Sequence, residues 1–105
     1  MNITHVCLVG GYTEGLNYQE NNIIKYQAAD GHRVSLITTD HCFIEGVWGV
    51  CPTEKDYINP HGVRIIRLPF AFPFPYNINR QIGIFKGFKE ILEELKPDVI
   101  FVHNL

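Results

Sequence analysis

Short apolar runs alternate with longer amphipathic segments along the chain. The run from Ile3 to Val9 is apolar and rich in β-branched residues, which is typical of a strand covered on both faces of a parallel sheet. Further strands are predicted at Val34 to Thr38, Val63 to Leu68 and Val99 to Val102. The pattern therefore predicts four strands, with the first of them at the centre of a sheet.

The third predicted strand differs from the first because it carries charges. Arg64 and Arg67 alternate with the apolar residues Val63, Ile65 and Ile66. Such alternation is typical of a strand that is covered less completely than a central one. We therefore expect this strand at an edge of the sheet.

Two amphipathic helices are predicted between the strands. The first runs from about Tyr18 to Asp30, starts with an Asn version of the capping box at Asn17 and Glu20, and ends where Gly31 suits a left-handed cap. The second runs from about Asn79 to Lys96, because its apolar residues recur three and four positions apart. Its apolar stripe consists of Ile82, Phe85, Phe88, Leu92 and Leu95.

Two segments show no regular period. The stretch from Asp40 to Pro60 is rich in glycine and proline and is predicted to be an irregular connection, either functional or mobile. The prolines of the run FAFPFPY from Phe70 to Tyr76 exclude a regular ladder. That run is interpreted either as a loop folded onto the sheet, which is favoured, or as an apolar lip near an acceptor or a membrane surface.

The order of the predicted elements is β-α-β-loop-β-α-β. This order predicts one α/β domain over residues 1–105, with an open, doubly wound, Rossmann-like parallel sheet in the spatial order 3-2-1-4. The fourth strand would then be an uncovered edge beside the central strand. We expect either a homo-oligomer that covers this edge or a longer protein of which the chain is the front part.

Composition excludes several classes of function. With 9 Lys+Arg against 11 Asp+Glu and a net charge of −2, the chain lacks the basic patch that nucleic-acid binding needs. No uncharged apolar stretch is long enough to span a bilayer, and the N-terminus lacks the basic leader of a secretion signal. The 3 cysteines are odd in number and irregularly spaced, which fits a reducing compartment. A cytoplasmic protein is therefore expected.

A glycine-bearing loop follows the first strand, where open α/β sheets bind their ligands. Gly10 and Gly11 let backbone amides approach a ligand closely, and the next helix offers its positive end to an anion such as phosphate. A simple tight turn explains the same glycines equally well. Tyr12 stands where a dinucleotide fingerprint needs glycine, so that fingerprint is absent. The candidate binding residues of this loop are Gly10, Gly11, Tyr12 and Gly15.

His103 follows the fourth strand and reaches the same predicted crevice, together with Asn104. A neutral imidazole there donates one hydrogen bond and accepts another, although a lone His at this place often does no more than end a strand. His5 and His32 are expected on the opposite side and are interpreted as structural. His103 is therefore the candidate catalytic residue, and Asn104 a candidate binding residue.

Metal binding and nucleophilic catalysis are both disfavoured. His41, Cys42, Cys51 and His61 lack the short ligand pairs of a structural zinc site. Ser35, inside a strand, is the one serine of the sequence, so no nucleophile triad can be argued. We expect neither a metal nor another cofactor.

Three pieces of the sequence, in this order and spacing, resemble the N-terminal domain of family-4 (group 1) glycosyltransferases of the GT-B fold. They are the glycine loop leading into the first helix, the turn GHRVSLITTD into the second strand, and PDVIFVHNL at the fourth strand. The resemblance covers nearly the whole chain. It implies a retaining, metal-independent transfer of a sugar from a nucleotide-sugar donor to an acceptor hydroxyl, in a cleft between two Rossmann-like domains.

The same resemblance assigns roles and partners. Gly10 and Gly11 would match the loop near the donor diphosphate, and His103 the histidine near the transferred sugar. The acceptor would be a glycan or a lipid-linked precursor. The resemblance therefore also allows peripheral contact of the protein with the inner face of a membrane. The family keeps an Arg/Lys pair and a donor-binding Glu in its second domain, so we expect the 105-residue chain to be inactive alone.

The residues themselves also allow two further hypotheses. The first is a non-catalytic α/β module that associates with itself or with a partner through the exposed sheet edge. The second, a small nucleotide-binding or flavodoxin-like protein, is disfavoured because the glycine loop lacks a supporting Ser/Thr cluster.

Overall fold

A computed structural model describes residues 1–8, 19–44, 46–52, 54–73 and 84–103. Within these ranges the chain forms seven strands and two helices. The strands are β1 (Asn2–Cys7), β2 (Arg33–Thr39), β3 (His41–Ile44), β4 (Val47–Val50), β5 (Asp56–Ile58), β6 (Arg64–Leu68) and β7 (Val99–Val102). The helices are α1 (Gln19–Ala29) and α2 (Phe88–Leu95).

A five-stranded sheet organises the domain, in the order β5-β6-β2-β1-β7. β1 pairs in parallel with both β2 and β7, and β2 pairs in parallel with β6. β5 pairs antiparallel with β6. The prediction of an α/β domain with a mostly parallel sheet is confirmed, whereas the predicted four-strand sheet lacked β5.

The two helices lie on opposite faces of the sheet. Ile24 and Ala28 of α1 pack with Leu36 and Ile65 on one face. Residues of α2, including Leu92, pack with Ile37 on the other face. Because each crossover helix buries its apolar side against the strands, both faces of the central strands are covered. Neither helix is long and apolar enough to cross a membrane.

Helix α1 ends where the sequence predicts. Gly31 has a φ of 89°, in the left-handed region that glycine adopts without a steric penalty. Its amide donates to the carbonyl of Ala28, and His32 donates to Gln27. The predicted capping residue Asn17 lies outside the described residues. The turn therefore leads the chain straight from α1 into β2.

Helix α2 is shorter than predicted, because it begins at Phe88 rather than near Asn79. Gly87 precedes it with a φ of 82°, a left-handed conformation that an α-helix cannot contain. Phe85 is nevertheless buried, since the segment before the helix forms an antiparallel bridge with Phe70. Phe85 and the apolar residues of α2 therefore reach one core from two different backbone conformations. Ile82, with the other residues of 79–83, lies outside the described ranges.

The stretch from Asp40 to Pro60 was predicted to be irregular, and this prediction is wrong. β3 and β4 form an antiparallel hairpin, with Gly46 at a φ of 81° between them. A positive φ in the connecting turn is what a tight hairpin requires and glycine supplies. β5 then adds to the main sheet beyond β6.

Strand β6 is not an edge strand, contrary to the expectation from its arginines. Arg64 pairs at the surface with Asp56 of β5, with N···O distances of 3.0 and 2.7 Å. Arg67 is only 2% exposed. Its guanidinium lies against the hydroxyl of Tyr57 at 3.4 Å and the carbonyl of Thr39 at 3.5 Å. The additional strand β5 therefore helps to bury Arg67, whereas the alternation of charged and apolar residues predicted a strand that is less covered.

The apolar run after β6 lies partly within the described residues. Phe70 packs on Phe85, with ring centroids 4.7 Å apart, and joins the core on the α2 face. Phe72 is 41% exposed. The start of this run is thus folded onto the sheet, as in the favoured interpretation, and residues 74–76 lie outside the described ranges.

Strand β7 forms the other end of the sheet and carries exposed apolar side chains. Among the described residues it pairs with β1 alone. Ile100, Phe101 and Val102 are 46%, 40% and 50% exposed. An edge of this kind offers unpaired backbone groups beside apolar surface, which is where another strand or chain can add.

The same substitution, Ile→Ala, should change the free energy of unfolding by different amounts at a buried and at an exposed position of the sheet. Ile37→Ala removes a fully buried side chain from β2 and should lower the free energy of unfolding by about 2–5 kcal/mol. Ile58→Ala, at a side chain 71% exposed on β5, should cost less than about 1 kcal/mol. Urea unfolding of both variants measures the difference, and equal losses would contradict the burial of Ile37 and the exposure of Ile58.

Candidate functional site

The carboxyl ends of the parallel strands lie along one edge of the sheet, where open α/β folds hold their ligands. Of the residues predicted for this site, His103 is described and directly follows β7. The predicted binding residues Gly10, Gly11, Tyr12, Gly15 and Asn104 all lie outside the described residues. His103 and its neighbours therefore form the described part of the site.

The backbone fixes the position of His103. Its amide donates to the carbonyl of Val6 at 2.9 Å, which continues the parallel ladder between β1 and β7. Its Nε2 lies 2.8 Å from Nδ1 of His5, and the two ring planes are inclined by only 18°. His103 is half-buried. Its imidazole is therefore held by a second imidazole rather than extending freely from the strand end.

His5 belongs to the same site as His103, so the expectation that it lies on the opposite side is wrong. In the register of the sheet His5 faces Phe101, and His103 is two residues further along β7. Side chains two apart in a strand point to the same face. Hence the parallel pairing brings the two histidines together, although they are far apart in sequence.

Helix α1 closes this arrangement on the other side of His5. Nε2 of His5 lies 2.6 Å from Oε1 of Gln27. Both ring nitrogens of His5 thus have partners, although the residue is fully buried. The sequence signal for Gln27 is its position three residues after Ile24 on the side of α1 that faces the sheet. Sequence reasoning missed Gln27 because it did not assign His5 to this face.

Burial determines the charge of His5. Desolvation lowers the pKa of this imidazole from 6.5, because the charged form loses its hydration in the interior. The hydrogen bond with Gln27 opposes this effect, and the nearby His103 adds to it. The ring of Phe101 covers one side of His5, with centroids 4.9 Å apart and planes inclined by 11°. His5 is therefore neutral at pH 7.

A second pair of titratable side chains lies at the end of β2. Oδ1 of Asp40 is 2.8 Å from Nδ1 of His41, and Asp40 is only 8% exposed. The ring of His41 leans on Phe70 at a centroid distance of 5.2 Å. A buried carboxylate that holds an imidazole fixes the orientation of that ring. Sequence reasoning considered His41 only as a metal ligand, and the adjacent Asp40 was the signal it missed.

Arg67 places a positive charge at the same edge of the sheet. Along one row of the register lie Cys7, Thr38 and Arg67, on the face that α1 covers. Thr38 donates its hydroxyl to the carbonyl of Cys7 at 2.8 Å. Since three strand spacings separate β6 from β7, Arg67 and His103 lie roughly 14 Å apart. The edge therefore combines a cation at one end with an imidazole pair at the other.

Nothing in the described part of the chain forms a metal site. No group of three or more His, Cys, Asp or Glu side chains is placed there to hold an ion. Cys51 is buried, and His41 is bound to Asp40. His61 is exposed in the turn before β6.

A shallow groove lies at the opposite end of the strands. Arg33, Ser35 and Arg64 line it, together with Glu94 of α2. The contacts of Arg64 with Asp56 and with Glu94, at 2.7 and 3.6 Å, already balance its charge. The hydrogen bonds from Arg64 also hold the pKa of Asp56 below its usual value. Arg64 therefore takes part in surface ion pairs on one side of this groove.

The burial of His5 predicts how stability changes with pH. Above pH 6.5 His5 is neutral in both the folded and the unfolded chain. Below that pH the unfolded chain binds a proton that the folded chain rejects. The free energy of unfolding should then fall by up to about 1.4 kcal/mol per pH unit, until the lowered folded pKa is reached.

Urea unfolding of the wild type and of His5→Gln between about pH 8 and about pH 5 measures this effect. The wild type should lose stability more steeply than His5→Gln. The exposed-site variant His61→Gln should keep the wild-type slope. Identical slopes for the wild type and His5→Gln would contradict the burial of a neutral imidazole.

No protein-family model, curated protein or solved structure matches this chain. The candidate chemistry of the site therefore rests on its own residues. These are the imidazole pair of His5 and His103 with Gln27, the acid–imidazole pair of Asp40 and His41, and the buried Arg67.

Proposed function

We propose that the chain is the acceptor-side, N-terminal portion of a group 1 glycosyltransferase of the GT-B fold. Such an enzyme transfers a sugar from a nucleotide-sugar donor to an acceptor hydroxyl. The observation that carries the proposal is the position of His103, held by the buried His5 at the carboxyl edge where β7 meets the central strand. The type of reaction is inferred from the sequence resemblance. The geometry provides an imidazole that is suited to bind the sugar.

The proposed role of His103 is to bind a sugar hydroxyl near the reacting carbon. Sugar hydroxyls both donate and accept hydrogen bonds, so one of them can bond to the nitrogen of His103 that does not contact His5. Its ring is fixed by the contact with His5, so it can hold a hydroxyl in one orientation. A hydrogen bond of this kind accelerates transfer when it strengthens in the transition state.

The remaining parts of the proposal come from the resemblance. Gly10 and Gly11 would lie near the donor diphosphate, where backbone amides offset the charge of the leaving group. Tyr12 and Gly15 of the same loop are further candidate substrate-binding residues. Asn104 would add a contact next to His103. The acceptor would be a glycan or a lipid-linked precursor in the cytoplasm or at the inner face of a membrane. The transfer would need no metal ion.

The proposal predicts a specific loss on substitution of His103. In the complete polypeptide encoded by the natural reading frame, His103→Ala should lower kcat/KM for sugar transfer by about 100-fold or more. The loss follows from removal of an oriented hydrogen bond at the sugar. Assays with a panel of nucleotide sugars, with release of the nucleoside diphosphate as the readout, measure it.

The exposed His61 provides the matched control. His61→Ala should leave transfer unchanged, since its side chain lies in a surface turn. The 105-residue chain should show no turnover alone, because the family keeps its leaving-group cations in a second domain. Full activity of His103→Ala, or robust transfer by the 105-residue chain, would contradict the proposal.

A second candidate function is supported by the exposed edge. Three consecutive apolar side chains of β7 are each at least 40% exposed, which suits a non-catalytic module that associates through this strand. In that case two copies would pair along β7 and continue the sheet. The imidazole pair would then be a structural part of the interface.

Light scattering separates this candidate from a monomeric chain. The wild type should be a dimer, and Val102→Lys should shift it to a monomer, because a charge at the edge opposes strand pairing. Ile58→Lys at the other edge of the sheet should remain a dimer. A monomeric wild type at high protein concentration would contradict association through β7.

A further inference from the structure

The structure assigns to Gln27 and His5 the role of positioning residues that set the tautomer of His103. We propose that the chain Gln27–His5–His103 leaves Nδ1 of His103 unprotonated, so that the group it binds must donate a hydrogen bond. The bond lengths along this chain are 2.6 Å and 2.8 Å. The inference deepens the proposed function, on which its choice of a sugar hydroxyl rests.

The first step is the contact between Gln27 and His5. Oε1 of Gln27 is a carbonyl oxygen and only accepts hydrogen bonds. Because it lies 2.6 Å from Nε2 of His5, that nitrogen must carry the hydrogen. Helix α1 holds Gln27 in place, since Ile24 and Ala28 of the same helix pack against the sheet.

The second step is the state of the other nitrogen of His5. A neutral imidazole has a single N–H, and full burial disfavours the cation, so Nδ1 of His5 has a lone pair. Nε2 of His103 lies 2.8 Å from this lone pair. Therefore Nε2 of His103 must be the donor of the bond between the two rings.

The third step concerns the nitrogen of His103 that is left. When His103 is neutral and Nε2 carries its hydrogen, Nδ1 has a lone pair. Among the described residues His103 has one side-chain hydrogen bond, which joins its Nε2 to His5 and does not involve Nδ1. It therefore accepts a hydrogen bond from a hydroxyl or an amine. A phosphate oxygen, which only accepts, is not matched by this tautomer.

The consequence is a division of the proposed site. A sugar hydroxyl fits the tautomer of His103, whereas the diphosphate of a nucleotide sugar has to be held elsewhere. In the proposed function that role falls to the backbone amides of the glycine loop and not to His103. His103 would thus select for a hydroxyl at the transferred sugar.

Nitrogen-15 NMR of the imidazole rings tests this inference without any substrate. At neutral pH the wild-type chain should show hydrogen on Nε2 of both His5 and His103. In Gln27→Met the acceptor is lost, so His103 should lose its single-tautomer signal and show averaged nitrogen shifts. Lys25→Met places the same residue at an exposed position of α1 and should keep the wild-type signals.

Hydrogen on Nδ1 of His103 in the wild type would overturn the inference. An unchanged His103 spectrum in Gln27→Met, with the fold preserved in its amide spectrum, would overturn the role of Gln27. The wild-type measurement decides the tautomer even if Gln27→Met fails to fold. Since no sugar is transferred in the experiment, an absence of transferase activity leaves this result intact and counts against the proposed function alone.

Discussion

The parallel pairing of β7 with β1 determines where the candidate chemistry of this protein lies. The two strands are distant in sequence, and their register places His5 opposite Phe101. Because side chains alternate between the faces of a strand, the same register brings His103 to the face of His5. Helix α1 packs on this face as well and adds Gln27. A shift of one residue would turn His103 toward the other face and separate the rings.

Burial of His5 makes its contact with His103 rigid. A buried polar nitrogen without a partner costs about 1–3 kcal/mol. Because breaking either hydrogen bond of His5 would incur this cost, both bonds stay formed. Fully buried and covered by Phe101, His5 has little freedom to change rotamer. His103 is half-buried, and one of its nitrogens is held by His5. Rigid support behind a more accessible imidazole is what an oriented contact with a ligand requires.

The sequence predicts the parts of this fold that depend on local pattern. The parallel strands follow from apolar runs in the sequence. The end of α1 follows from the preference of glycine, here Gly31, for a positive φ. The hairpin around Gly46 and the late start of α2 at Gly87 were missed because positive φ at a glycine is not visible in hydrophobic periodicity. The contact between His5 and His103 depends on the register of two distant strands. Sequence reasoning placed His103 correctly after a strand but had no register with which to place His5 beside it.

A hydrogen bond between two nitrogens transmits a scalar coupling, which NMR detects directly in nitrogen-15-labelled protein. The account predicts a coupling between Nδ1 of His5 and Nε2 of His103, with the hydrogen attached to the His103 nitrogen. The coupling should persist in His61→Gln and disappear in His5→Gln. Absence of the coupling in the folded wild-type chain, or its hydrogen on the His5 nitrogen, would contradict the central claim.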